Sequence, residues 1–141
     1  MRLEGVQFRA YRGADTSASG TASQATYRRR SGEVEAATVR VTLPGNGTPD
    51  LTIAAPVLVG DLAVRSWSAR GGVVLERGDA TARTASARYS GADGVVRGEE
   101  PVEVVGPGYR LAGPSFTADP ATGDVEIRGG VRLVAAGTAR P

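Results

Sequence analysis

The stretch Leu51-Thr52-Ile53-Ala54-Ala55-Pro56-Val57-Leu58 returns 58 residues later as Tyr109-Arg110-Leu111-Ala112-Gly113-Pro114-Ser115-Phe116, with like chemistry at the matched positions. Between the two, Thr84-Ala85-Ser86-Ala87-Arg88-Tyr89 fits the same frame, with Tyr89 standing 27 residues before Phe116. Each aromatic is followed by a turn, a valine strand and a glycine. Tyr89 leads to Asp93-Gly94-Val95, Gly98 and Val102-Glu103-Val104; Phe116 leads to Gly123-Asp124-Val125, Gly129 and Val131-Arg132-Leu133. Tyr27, Gly32-Glu33-Val34 and Val39-Arg40-Val41 form a looser third copy. A hairpin-like unit thus recurs roughly every 27 to 30 residues. Such a unit cannot bury its apolar face alone, so stacked neighbours must share a core in an elongated body of two facing sheets.

Working outward, apolar and polar residues alternate in short runs almost everywhere, the period of half-buried strands. Val39, Val41 and Leu43 fall on one face and Thr38, Arg40 and Thr42 on the other. The same holds for Leu62 and Val64 around Arg65, and for Ala85, Ala87 and Tyr89 around Thr84, Ser86 and Arg88. It recurs for Val102 and Val104, Tyr109 and Leu111, Val125 and Ile127, and Val131 and Leu133. No window carries the three-to-four-residue spacing of an amphipathic helix, so the chain reads as all-β.

Turn chemistry bounds the runs. Leu43-Pro44-Gly45-Asn46-Gly47-Thr48-Pro49-Asp50 cannot continue a ladder and reads as a loop. Asp119-Pro120-Ala121-Thr122-Gly123 reads as a type I turn followed by a glycine in the left-handed region. Ser90-Gly91-Ala92-Asp93-Gly94, Gly71-Gly72 and Gly129-Gly130 read as further reversals. A stack of this kind leaves an edge strand open at each end. The last strand, Gly130-Val131-Arg132-Leu133-Val134, has only Arg132 as a gatekeeper before Pro141, and Val131, Arg132, Leu133 and Val134 are therefore expected to form an edge for a partner strand.

The 141 residues suit one domain spanning 1–141. Gly 20 and Pro 8 make about a fifth of the chain, against roughly 12% in ordinary proteins, which fits many strands and turns. The 17 basic residues are all Arg, the acids number 15, and His, Cys and Lys are absent. That composition excludes a Ser-His-Asp triad, a cysteine nucleophile, a Schiff base, a P-loop lysine and any thiolate or imidazole metal site. Only carboxylate chemistry, or none, is left. Glu99, Glu100 and Glu103 form the acidic cluster, but the two adjacent acids precede Pro101 at a turn, where solvated carboxylates are expected, and no aromatic cleft for sugar stacking accompanies them. A net charge of +2 with interspersed signs gives no basic stripe, so a nucleic-acid partner is not expected. No run approaches the length of a membrane span, and the start lacks the apolar core of a signal peptide.

The cadence of residues 84–89, Asp93-Gly94-Val95-Val96-Arg97-Gly98, Pro101-Val102-Glu103-Val104, Tyr109-Arg110-Leu111-Ala112-Gly113 and Gly129-Gly130-Val131-Arg132-Leu133 resembles the OstA-like domains of lipopolysaccharide transport, the LptC/LptA family. The opening Leu3-Glu4-Gly5-Val6-Gln7-Phe8-Arg9-Ala10-Tyr11 is similar to the start of the LptC periplasmic domain. The likeness covers nearly the whole chain and is firmest from Ala82 to Val134. It implies a V-shaped β-jellyroll of two facing antiparallel sheets whose interior holds lipid A acyl chains. It further implies a periplasmic, non-enzymatic carrier without a cofactor, tethered to the inner membrane by an N-terminal helix absent from this sequence. Such a carrier receives lipopolysaccharide from the inner-membrane exporter and passes it to another jellyroll by edge-to-edge stacking. The alternative is a structural β-repeat that self-associates edge to edge, or a polysaccharide-binding module.

On that reading the inward positions expected to line an acyl trough are Val41, Ile53, Leu58, Leu62, Val64, Leu75, Tyr89, Val104, Leu111, Phe116, Ile127 and Leu133. Each also reads as an ordinary core residue. Trp67, the only tryptophan, reads either as a cap where chain meets headgroup or as a core anchor. Arg28-Arg29-Arg30 reads either as a phosphate contact or as a solvated loop.

Overall fold

The structure is a computed structural model that describes residues 1–12, 15–61 and 65–135. Among these are twelve strands and no helix: β1 (Arg2–Arg12), β2 (Asp15–Arg28), β3 (Glu33–Leu43), β4 (Leu51–Asp61), β5 (Ser66–Arg77), β6 (Ala80–Ser90), β7 (Val95–Gly98), β8 (Val102–Gly106), β9 (Tyr109–Gly113), β10 (Ser115–Ala118), β11 (Val125–Arg128) and β12 (Arg132–Ala135). All belong to one antiparallel sheet that does not close into a barrel. Strands β1 to β6 pair in sequence order. Beyond them β6 forks, its residues 81–84 pairing with β8 and its residues 88–90 with β7. One branch continues through β9 to β12 and the other through β10 to β11. The pairs β7/β8, β9/β10 and β11/β12 are therefore single strands broken in the middle, and the whole is a meander of six long strands and three broken ones.

The breaks fall on one line across the sheet. Ladder pairing lapses at Gly5 and Ser23, at Thr38, at Pro56, at Gly71-Gly72 and at Ala85. The line then runs through residues 99–101, Pro114 and residues 129–131, which separate the broken strands. The residues explain it. Proline has no N–H for the ladder, and Gly71, Gly72, Gly129 and Gly130 take φ of 89°, 99°, 88° and 99°, off the pleat. Pro56 and Pro114 sit 58 residues apart, as do the two glycine pairs, so the repeat in the sequence is a repeat of the crease. The glycine pairs are therefore corners inside strands and not the chain reversals expected; a ladder break and a reversal draw on the same residue types.

At this crease every strand passes from one layer to the other. Residues 51–55, 73–77, 80–84, 102–106 and 109–113 lie in one layer; residues 57–61, 66–70, 86–90, 95–98, 115–118 and 125–128 lie in the other. The two facing sheets are halves of one folded sheet. Dropping a residue out of the pleat restarts the alternation, so both halves keep apolar residues inside. In β3 the buried positions are Ala36 and then Val39, Val41 and Leu43. In β6 the shift moves Thr84 inward, 7% exposed, and Ala85 outward, which corrects the expectation that Ala85 shares a face with Ala87 and Tyr89.

The core is dense at one end. Val39, Val41, Leu43, Leu51, Ile53, Val73, Leu75 and Val102 of one layer meet Val96, Phe116 and Ala118 of the other. Phe116 lies over Gly98, its direct cross-strand partner, where any Cβ would overlap the ring. Here the free rims of the two layers are also clasped: the Asn46 N–H donates to the Ala121 carbonyl at 3.0 Å, joining the 44–50 loop to the β10–β11 turn. That turn forms as its sequence suggests, with the Gly123 N–H donating to the Asp119 carbonyl at 2.8 Å. Among the described residues no helix is long and apolar enough to cross a membrane.

Candidate binding trough

At the opposite end of the folded sheet, near β1, the layers do not meet, and a cavity of about 530 Å³ lies between them. Its wall draws on Val6, Phe8, Ala18 and Ala22 from one layer and on Ala25, Tyr27, Val34, Ala36, Leu58, Trp67 and Tyr89 from the other. The sequence makes this space. Where the dense end places branched residues on inward positions of β3, β4 and β5, β2 and the first half of β3 place Ala18, Ala22, Ala25 and Ala36, all buried and all in the wall. A void of 530 Å³ kept sealed and dry would cost about 13 kcal/mol at about 24 cal/mol per Å³, as much as a whole domain's stability. The trough is accordingly open, and Leu3, Phe8 and Tyr11 of the edge strand remain exposed beside it.

Trp67 and Tyr89 are cross-strand partners whose rings stack with centroids 5.2 Å apart and planes at 23°. The pair forms a flat aromatic section of the wall. Among the described residues of the wall, charged groups enter at Arg9, Asp61 and Arg65, beside the Ser66 hydroxyl and the polar tips of Tyr11, Tyr27, Trp67 and Tyr89. A second, much smaller cavity of about 70 Å³ lies within the dense end, between Leu51, Leu75, Val102 and Val104 on one side and Phe116 and Ala118 on the other.

Of the positions expected to line a trough, the structure brings Leu58, Trp67 and Tyr89 together in the large one. Leu75, Val104 and Phe116 line the small cavity instead. Val41 and Ile53, each 1% exposed, are packed in the core, and Ile127 is packed against it. Leu111 is half-buried in β9, facing Leu133 of β12, which is 63% exposed; among the described residues no further strand lies beyond β12. Leu62 and Val64 lie outside the described residues. Composition gave no sign of the alanine positions or of Phe8, Val34 and Tyr27, since a cavity wall is marked by what its side chains leave empty.

The charged candidates fall elsewhere. Arg28-Arg29-Arg30 open the exposed β2–β3 turn, with Arg28 Nη1 3.7 Å from Glu33. Glu99 and Glu100 bridge the crease to β6: Arg88 donates to Glu99 at 2.9 Å and the Ser86 hydroxyl to Glu100 at 2.5 Å. Arg97 donates to Asp93 at 2.6 Å, which holds the Asp93 carboxyl below its ordinary value. Among the described residues both ends of the meander are open edges. β1 pairs with β2 alone, and β11 and β12 pair only with β10 and β9, leaving Val131, Leu133 and Val134 exposed around Arg132.

No protein-family model matches the chain, and no curated protein matches it. Among solved structures it is similar to LptH of Pseudomonas aeruginosa, the LptA homologous periplasmic component of the conserved lipopolysaccharide transport device. The match has a TM-score of 0.66 at 13% identity and covers 85% of this chain and 95% of that one. The creased, open antiparallel sheet found here is thus the fold of an LptA-like β-jellyroll.

Proposed function

We propose that the chain is a non-enzymatic periplasmic carrier in lipopolysaccharide transport, shielding lipid A acyl chains in the trough and passing them to a neighbouring jellyroll. The observation that carries this reading is the apolar trough of about 530 Å³ held open between two halves of one sheet. Acyl chains need a continuous dry wall and no chemistry. The fold shared with a lipopolysaccharide transport component supports the same reading. Transfer uses the open edges: β1 carries exposed Leu3, Phe8 and Tyr11 beside the trough, and the far edge carries Val131, Leu133 and Val134. A second jellyroll added to either edge would extend the ladder and the apolar interior together, and the inner-membrane exporter is the partner that would load the lipid.

The test is native mass spectrometry of the chain mixed with lipid A, with a phospholipid as the control. A one-to-one adduct selective for lipid A is expected. A folded, β-rich chain that takes no adduct, and instead forms filaments as its concentration rises, would favour a structural repeat.

A further inference from the structure

We propose that the open end of the folded sheet docks on an anionic bilayer surface, with the mouth of the trough facing the lipid. This goes beyond the carrier reading and does not depend on which lipid the trough holds.

The wall is graded from dry to wet. In the layer that holds Trp67, the deeper cross-strand row runs through Ala25, Ala36, Leu58, Ala69 and Ala87. Two residues nearer the free rim, the next row runs through Tyr27, Val34, Gly60, Trp67 and Tyr89, all of them in the trough wall. Beyond that row stand arginines. The exposed Arg28-Arg29-Arg30 turn follows Tyr27 directly, and Arg65 precedes Trp67 by two residues, its carbonyl accepting from the Gly91 N–H at 2.8 Å. Across the opening, β1 adds Arg9 and Tyr11 to the same wall, with Tyr11 52% exposed. An aliphatic floor, an aromatic row and an arginine lip follow the order of a bilayer from acyl region to headgroups.

Charge separates along the molecule in the same sense. The open end carries Arg9, Arg28, Arg29, Arg30 and Arg65 against Glu33 and Asp61, a net +3 in a chain whose whole net charge is +2. Among the described residues no ion pair engages Arg9, Arg29, Arg30 or Arg65. The clasped end carries Asp50, Asp79, Asp119 and Asp124 against Arg77, a net −3. These five are gathered there because the 44–50 loop bonds to the β10–β11 turn, Gly78 lies beside Pro49, and Gly123 lies beside Arg77. An anionic surface therefore attracts one end and repels the other. The acidic end of a second copy would satisfy the arginines alone. Leu3, Phe8 and Tyr11, exposed beside them, call for a surface that is anionic outside and apolar beneath, which a bilayer supplies.

The whole chain is floated with vesicles of phosphatidylcholine alone and of phosphatidylcholine mixed with phosphatidylglycerol. Binding to the anionic vesicles should be at least about tenfold tighter and should weaken as salt is raised. Arg29→Gln with Arg30→Gln should weaken it about thirtyfold. Arg83→Gln with Arg110→Gln, which removes the same charge from exposed sites on β6 and β9, should change it less than threefold. The chain has no cysteine, so Ser31→Cys and Thr122→Cys each take a single environment-sensitive dye, one in the arginine turn and one at the clasped end. Position 31 lies outside the trough wall, so lipid drawn into the trough does not move a dye there. The dye at 31 should shift to the blue on anionic vesicles, and the dye at 122 should not. No vesicle binding, equal binding to both vesicles, equal losses in the two arginine pairs, or equal shifts at 31 and 122 would overturn the proposal. Concentration-dependent assembly without vesicle binding would assign the basic end to a second copy instead. None of these outcomes bears on whether the trough takes lipid A, which the mass spectrum decides separately.

Discussion

Thr38 offers the sharpest test of the crease. It is a β-branched residue in the middle of an inner strand, yet its φ is 52° and its side chain is exposed. For a residue with a Cβ the left-handed region costs about 1–2 kcal/mol. Glycine adopts it freely but loses about 0.5–1 kcal/mol more in unfolded-state entropy. Thr38→Gly therefore nets a gain of about 0.5–1 kcal/mol, or about 2–4 °C in Tm for a chain of this size. Thr38→Asn should gain in the same direction with a smaller entropy loss. Thr42 lies four residues on in the same strand, paired and without positive φ. Thr42→Gly should lose about 1 kcal/mol, the ordinary effect of glycine in a strand. Urea and thermal unfolding of the three variants decide the matter. If Thr38→Gly destabilises as much as Thr42→Gly, position 38 is ordinary strand, and the account of how the sheet folds over is wrong.

Gly98→Ala places a Cβ inside the buried Phe116 ring and should lose about 1–3 kcal/mol by overpacking; adding Phe116→Ala should give less than the sum of the two single losses in a double-mutant cycle, because the clash disappears with the ring. Ala36→Leu adds about three methylene-sized groups to the trough wall and should displace about 2.4 kcal/mol of acyl burial, near a fiftyfold loss of lipid affinity by titration, with Tm unchanged or raised since open space is filled. With no His and no Cys in the chain, Tm should stay level from about pH 5.5 to 8. The Asp93 carboxyl is held low by the Arg97 hydrogen bond, so its contribution is complete above its ordinary value of 3.8 and disappears as pH falls through the lowered one; Asp93→Asn should shrink the acid-side decline in Tm.

Much of the fold was legible because alternation and turn residues act locally. The inward set Val39, Val41 and Leu43 and the Asp119–Gly123 turn form as the sequence implies. The repeat linking Leu51–Leu58 to Tyr109–Phe116 was visible, but its meaning was hidden: it places a proline at the crease twice. Glycine pairs that bend a strand look like pairs that reverse it, and only ladder pairing tells them apart. The same crease inverts Thr84 and Ala85 because alternation restarts on its far side. The binding site was harder to read. Large aliphatic residues such as Val41 and Ile53 fill space and so mark the tight end, whereas Ala22 and Ala36 leave the room in which a ligand fits. Leu133 alternates like a core residue but belongs to the last described strand, which among the described residues has a neighbour, β9, on one side alone.

The central claim, that acyl chains of lipopolysaccharide lie inside the folded sheet, is tested most directly by site-specific photocrosslinking. A benzophenone amino acid at Tyr27, in the trough wall, is compared with one at Arg70, exposed on the outer face of β5. Irradiation of the purified chain with lipopolysaccharide should yield a lipid adduct at position 27 and none at position 70. Equal adducts at both positions, or none at position 27 in a chain that keeps its β-sheet spectrum, would contradict it.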